Sequence, residues 1–213
     1  MRVKTRRNIM SKSFILILGG VRSGKSSFAQ QMAKGLGGKV LFVATGQPLD
    51  EEMASRIAEH KRIRPKNWRT LEIDVRVGQK LNRQIGDAEI VLLDCLSLLV
   101  SNVILNPSLP LSLQAKRSNL LALRADSVKN LEKIDFAKAE KQVLDEIEKL
   151  TKCIDKHEGI FIVVSNEVGL GLVPENKLGR IYRDLLGKAN QLLAQHADEV
   201  YFMASGIPVK IKG

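Results

Sequence analysis

Eight consecutive residues, Gly19-Gly20-Val21-Arg22-Ser23-Gly24-Lys25-Ser26, fit the pattern G-x-x-x-x-G-K-[ST]. In that pattern the glycines let backbone N–H groups wrap phosphate oxygens at the start of a helix, where the helix dipole also favours negative charge. Lys25 would meet phosphate charge, Ser26 would offer a hydroxyl to Mg²⁺, and Arg22 could reach a phosphate from within the loop. An apolar run precedes the loop and a helical pattern follows it, the context in which this pattern binds nucleotides.

Two further residues could act on such a ligand. Asp94 ends the apolar run 89–93, and an acid at a strand end is where P-loop enzymes hold Mg²⁺. The same placement serves a helix N-cap, and the residues alone leave both readings open. His60 follows Ile57 by three residues in a segment of helical spacing, with Lys61, Arg62 and Arg64 just beyond. Those cations would attract a triphosphate and favour a neutral imidazole. They also suit the last turn of any helix, with His60 an ordinary surface histidine.

The elements that must position these groups alternate along the chain. Residues 14–18 predict a strand and 26–34 a helix stopped by Gly35, Gly37 and Gly38. Residues 39–44 predict a second buried strand. A helix follows over 50–62, with Asp50, Glu51 and Glu52 in its first turn and Arg64-Pro65 closing it. Residues 68–73 are a weaker strand candidate and 89–93 a strong one. From 106 to about 115 no register is clear, and no structure is assigned.

Residues 116–157 carry ten Lys or Arg against eight Asp or Glu, with Leu131, Ile134, Val143, Leu144, Ile147 and Leu150 near a 3.6 period. That is a long amphipathic helix, broken at most once, with a solvated charged face. Residues 159–165 read as a strand, 174–195 as a helix beginning at Pro174, and 199–204 as the last strand. Such alternation predicts an α/β fold of the P-loop NTPase kind: a mostly parallel central sheet, helices on both faces, and the binding crevice at the carboxyl ends of the strands.

Composition sets the outer bounds. A chain of 213 residues with 44% hydrophobic and 27% charged residues suits a single folded domain, assigned here to 13–213. The net charge of +11 invites a nucleic-acid reading, but Arg2, Lys4, Arg6, Arg7 and Lys12 lie in residues 1–12 with no acid among them. That stretch reads as a loose, solvated extension. Only 4% of the chain is aromatic, which argues against a surface that stacks single-stranded bases. Cys95 and Cys153 read as reduced thiols. No apolar run approaches the roughly 20 residues that span a bilayer, and no secretory signal is evident, so a cytoplasmic protein is expected.

Up to this point the reading is phosphoryl transfer with an open substrate, because many enzymes share these parts. Further blocks narrow it: Ala44-Thr45-Gly46-Gln47; Asp50-Glu51-Glu52-Met53; Arg56-Ile57, His60-Lys61, Arg64-Pro65 and Trp68-Arg69-Thr70; Leu92-Leu93-Asp94-Cys95; Val100-Ser101-Asn102; and Ser165-Asn166-Glu167-Val168-Gly169. Val173-Pro174-Glu175-Asn176, Arg180, Arg183-Asp184, Asn190-Gln191 and Ala197-Asp198-Glu199-Val200 continue the series. In this order and spacing, the chain from 14 to 212 resembles the bifunctional adenosylcobinamide kinases and adenosylcobinamide-phosphate guanylyltransferases of cobalamin synthesis.

That resemblance implies phosphorylation of the aminopropanol hydroxyl of adenosylcobinamide by ATP or GTP, then GMP transfer from GTP through a guanylylated histidine, which falls on His60. It places nucleotide contacts on Gly19 to Ser26, on Ala44, Thr45 and Gly46, on Lys61, Arg62, Ile63 and Arg64, on Glu72 and on Asp94, with Mg²⁺ on Ser26 and Asp94. It also implies a homo-oligomer, a trimer, with no nucleic acid and no membrane span. Asn166-Glu167 is a further crevice candidate, or a turn. Three departures stand out: Asp94 where the family frequently has glutamate, Glu59 where some members have a second histidine, and an enlarged segment over 107–138. A nucleic-acid NTPase and a guanylyltransferase lacking its kinase step are the competing readings; intact Lys25 and Ser26 oppose the second.

Overall fold

A computed structural model describes residues 11–48, 51–105 and 135–213, and within helices the side chains of Arg56, His60 and Ile63 lie outside the described set. The element order is β1 (Ser13–Gly19), α1 (Lys25–Leu36), β2 (Val40–Ala44), α2 (Glu51–Ile63), β3 (Arg69–Glu72), α3 (Val77–Gln84), β4 (Ile90–Asp94), α4 (Leu96–Leu105), α5 (Phe136–Lys156), β5 (Ile160–Val164), α6 (Lys177–His196), β6 (Glu199–Ala204) and β7 (Ile207–Lys212).

Among the described residues, seven strands form one sheet in the order β3-β2-β4-β5-β1-β6-β7. The pairs from β3 through β6 are parallel, and β6 with β7 is antiparallel. Central strands are apolar on both faces because both faces are covered. Leu16, Leu41, Val43, Leu93, Phe161 and Val163 pack under α3, α4, α5 and α6. Ile17, Phe42, Leu92 and Ile162 face the other way, against Ala29 and Ala33 of α1. Each such side chain taken fully out of water contributes about 1.5–3 kcal/mol before chain entropy is counted.

Local chemistry sets the helix ends. Asp135 caps α5 by accepting from Ala137 N at 2.9 Å. Asn176 caps α6 by accepting from Gly179 N at 2.7 Å, so α6 starts three residues beyond Pro174, later than its proline suggested. The N-terminus of α3 is capped from outside: the buried Glu146 carboxylate of α5 accepts Arg76 N at 2.9 Å and Val77 N at 2.6 Å. Burial raises the pKa of that carboxyl, against the pull of the two N–H donors.

The sheet departs from the sequence reading at one edge. Residues 199–204 are not the last strand, because Ser205 (φ 51°) and Gly206 (φ 86°) make a two-residue turn that returns the chain as β7. Both residues have positive φ, the form that suits a tight hairpin. Pro208 is tolerated there because β7 is an edge strand. Helices α3 and α4 were not assigned from sequence. Of the long helix expected over 116–157, α5 supplies the second half, while 106–134, residues 1–10 and Asp50 lie outside the described residues. Both cysteines are free thiols. Among the described residues no helix is long and apolar enough to cross a membrane.

Candidate active site

The phosphate loop runs from the end of β1 into α1. Gly19 (φ 150°) has no room for a side chain, since a Cβ there would lie 2.7 Å from Met203 O. Gly24 sits in the left-handed region (φ 91°) at the head of α1, and among the described residues no side chain caps that helix. The first-turn N–H groups of α1 are thereby left for a ligand. Lys25 is buried, its ammonium folded back onto Gly20 O and lying 3.4 Å from Ser23 Oγ. Burial lowers its pKa, against the opposing pull of Cys95 and Asp94. Val21 and Arg22 are exposed, Arg22 with φ 58°, and Ser26 is half-buried.

Two neighbours brace this loop. Gly206 N, in the β6–β7 turn, donates to Ser23 O at 3.0 Å, and Glu167 N, beyond β5, donates to Gly19 O at 2.9 Å. The segment beyond β5 is held in turn by the buried Asn190 of α6. Ser165 Oγ donates to Asn190 Oδ1 at 2.7 Å, and Asn190 Nδ2 donates to Asn166 O at 3.0 Å. Asn166-Glu167 thus lies at a strand's carboxyl end beside the phosphate loop.

Asp94 ends β4, in register with Ala44 of β2 and Val164 of β5. One strand, β5, separates it from β1, and its charge opposes the burial that lowers the pKa of Lys25 and of Arg64. The peptide bond that follows, Asp94–Cys95, is cis. Asp94 lies two residues before Leu96, where α4 begins. Burial pushes the Cys95 thiol up to about 11, with the Asp94 charge adding to the effect.

The third component comes from the turn after α2 and from β3. The Arg64 guanidinium lies 3.5 Å from the centre of the Phe42 ring and donates to Thr70 Oγ1 at 3.0 Å. Burial lowers its pKa, opposed by Asp94 and then Glu72. Lys61 pairs with Glu72 at 2.5 Å, whereas Arg62 turns to Glu59 on the exposed side of the helix. His60 lies in the last turn of α2. That helix docks on the loop beyond β2 through Ile57: a Cβ on Gly46 would meet Ile57 Cδ1 at 3.5 Å and Leu98 Cδ1 at 3.3 Å.

The phosphate loop, Asp94, Ala44 and Glu72 thus all lie at the carboxyl end of the parallel sheet, with Lys61 paired to Glu72 and Arg64 set against Phe42 and Thr70. Arg62 is set apart, in an ion pair on the helix surface. Thr45 is wholly buried, its hydroxyl bonded to Cys95, so its side chain faces the protein and not a ligand. The buried amides Asn102 and Asn190 were not picked out as acting on the site. Their one visible signal is a polar residue on an otherwise apolar helix face.

The oxygen donors, one carboxylate on Asp94 and one hydroxyl on Ser26, suit Mg²⁺, which is commonly held by one or two protein oxygens with phosphates and water completing its shell. Among the described residues there is no cluster of three or more His, Cys, Asp or Glu that could hold a metal unaided.

Fold and site together define a P-loop nucleotide-binding α/β protein in which the strand carrying the acid lies one strand away from the loop strand. The sequence profile described as cobinamide kinase / cobinamide phosphate guanyltransferase matches residues 15–211, and the chain belongs to that family. It is 39% identical over 198 residues to the bifunctional adenosylcobalamin biosynthesis protein CobU of Salmonella typhimurium, covering 93% of this chain and 99% of that protein. The Escherichia coli protein of the same description is 36% identical over 93% of this chain and 99% of its own length. A solved structure from Pyrococcus horikoshii matches in fold alone, with a TM-score of 0.52 at 8% identity, over 96% of this chain and 88% of that one.

Proposed function

We propose that this chain phosphorylates the aminopropanol hydroxyl of adenosylcobinamide with ATP or GTP and then transfers GMP from GTP to the phosphate so formed, giving adenosylcobinamide-GDP. The observation that carries the reading is that the phosphate loop after β1, Asp94 at the end of β4 and the Lys61–Glu72 pair at the end of β3 all lie at the carboxyl ends of parallel strands of one sheet. It places the cationic turn that follows His60 at the same end of the sheet as the phosphate loop.

In the kinase step, the backbone N–H groups of residues 19–26 cradle the phosphates and Lys25 stabilises charge on the transferred group. Ser26 and Asp94 are the residues that would hold Mg²⁺, whose chemistry there is to neutralise phosphate oxygens. In the transferase step, a neutral His60 nitrogen attacks the α-phosphorus of GTP. A P–N bond forms, the α–β anhydride bond breaks, and pyrophosphate leaves. The substrate phosphate then attacks the same phosphorus and releases His60. Arg64 and Lys61 supply positive charge, with Glu72 orienting Lys61. Assembly as a homotrimer and a cytoplasmic location complete the proposal, on family likeness.

The test is product analysis with adenosylcobinamide and either γ- or α-labelled GTP. Label from both positions, entering in that order, is expected. Label from the γ position alone would remove the transferase half of the proposal.

A further inference from the structure

We infer that Thr45 and Asn102 are positioning residues for phosphoryl transfer, acting through Asp94. The inference rests on the proposed role of Asp94 at the phosphate site. Thr45 is 0% exposed and bonds three times to Asp94, the last residue of β4, and Cys95, which follows it. Its hydroxyl donates to Cys95 O at 2.7 Å and accepts from Cys95 N at 3.0 Å, and its own N–H donates to Asp94 O at 3.4 Å. The hydroxyl has one proton and, in this geometry, uses its donor and an acceptor on a single neighbouring residue.

Asn102 closes the circuit. It is a buried residue of α4, the helix that begins directly after Cys95. Its Nδ2 donates to Thr45 O at 2.9 Å and to Asp74 O at 3.0 Å, the two hydrogens of one amide joining the loops beyond β2 and β3. The chain therefore leaves Asp94, passes through α4, and returns through Asn102 and Thr45 to the peptide next to Asp94. Ladder pairing with Ala44 and Val164 fixes the height of Asp94 in the sheet. The Thr45 hydroxyl fixes the backbone just past Asp94, and with it the direction in which the carboxylate leaves the end of β4.

A threonine that served packing alone would be replaceable by valine, which has the same shape. A positioning hydroxyl would not. Four variants separate these cases: Thr45→Val, Thr45→Ser, Asp94→Asn and the double Thr45→Val/Asp94→Asn. Each is read by kcat for phosphoryl transfer, by nucleotide Kd, and by Mn²⁺ affinity of the enzyme–nucleotide complex from electron paramagnetic resonance.

Thr45→Val is expected to lower kcat about 100-fold, the scale of a misplacement near 1 Å. It should weaken Mn²⁺ binding about tenfold, with nucleotide Kd changed less than about threefold. Thr45→Ser is expected to restore most of both losses. The double variant should be no slower than Asp94→Asn, because the hydroxyl acts through that carboxylate. Full kcat in Asp94→Asn overturns the reading of Asp94, and the inference with it. An inactive Asp94→Asn beside a fully active Thr45→Val overturns the inference alone, as do multiplicative losses in the double variant. Should Thr45→Val not fold, Asn102→Ser is read in the same assays: a fall in kcat of about tenfold at unchanged nucleotide Kd supports the inference, and an unchanged kcat overturns it.

Discussion

Lys25, at the head of α1 just after β1, and Asp94, at the end of β4, sit at the carboxyl ends of parallel strands that are not neighbours; β5 lies between them. Lys25 is buried at a cost to its charged form that the Asp94 carboxylate only partly offsets. Such a cost is expected of a group kept for its ligand and not for stability. Lys25→Met should lower kcat for phosphoryl transfer by at least about 100-fold, while the Tm holds or rises. Kinetics and a thermal scan on one preparation check both halves.

Gly78 of α3 lies against the backbone of α5, where a Cβ would fall 2.7 Å from Leu150 N and closer still to the Lys149 carbonyl. Gly78→Ala is expected to destabilise the chain by about 1–3 kcal/mol, the usual range for overpacking. A urea titration would show a lower midpoint at an unchanged slope. Activity below the transition should be kept, because the contact joins α3 to α5 and involves no phosphate-loop residue.

Asn190→Leu should act on both stability and ligand binding. It strands Ser165 Oγ and Asn166 O, which Asn190 now satisfies, at a cost of about 1–3 kcal/mol. It also frees the segment whose Glu167 N–H braces Gly19 O. Hydrogen exchange at the Glu167 amide is expected to quicken and nucleotide affinity to fall about tenfold, the scale of 1.4 kcal/mol.

Two groups give opposite pH dependences. Burial lowers the pKa of His157, so between its ordinary and folded values the unfolded chain binds the proton that the folded chain refuses, and stability falls as pH falls. The groups facing it are the Phe161 ring, the Glu89 backbone, Glu158 and Lys12. Glu146 has a raised pKa, so above its ordinary value the folded chain binds the extra proton, and stability falls as pH rises through that acidic window. Tm measured from pH 7.5 down to 5.5 should drop less in His157→Gln than in the parent; parallel curves would contradict the assignment.

Much of this architecture was legible because its signals are local. The run from β1 through the phosphate loop to α1 needs only a strand, a loop pattern and a helix in succession, and β2, β4 and β5 are continuous apolar runs. β7 was missed because Ser205-Gly206 reads equally as an ending or a hairpin, and Pro208 argues against a strand unless the edge position is known. α4 hides its register, since Leu96 to Leu105 is apolar on nearly every side. The role of Thr45 was not legible at all. It depends on Cys95, fifty residues away, being its neighbour across the sheet.

The family blocks imply the chemistry proposed for His60, and the structure adds where its helix is anchored: α2 at Gly46 through Ile57, Arg64 on Phe42 and Thr70. The most direct measurement is incubation of the protein and of His60→Ala with α-³²P-GTP and Mg²⁺, followed by denaturing electrophoresis. The parent is expected to give a labelled band that is acid-labile and alkali-stable, and His60→Ala none, with phosphorylation of adenosylcobinamide retained. A band that persists in His60→Ala would contradict the assignment of the nucleophile, and no band in the parent while GTP binds would contradict a guanylylated intermediate altogether.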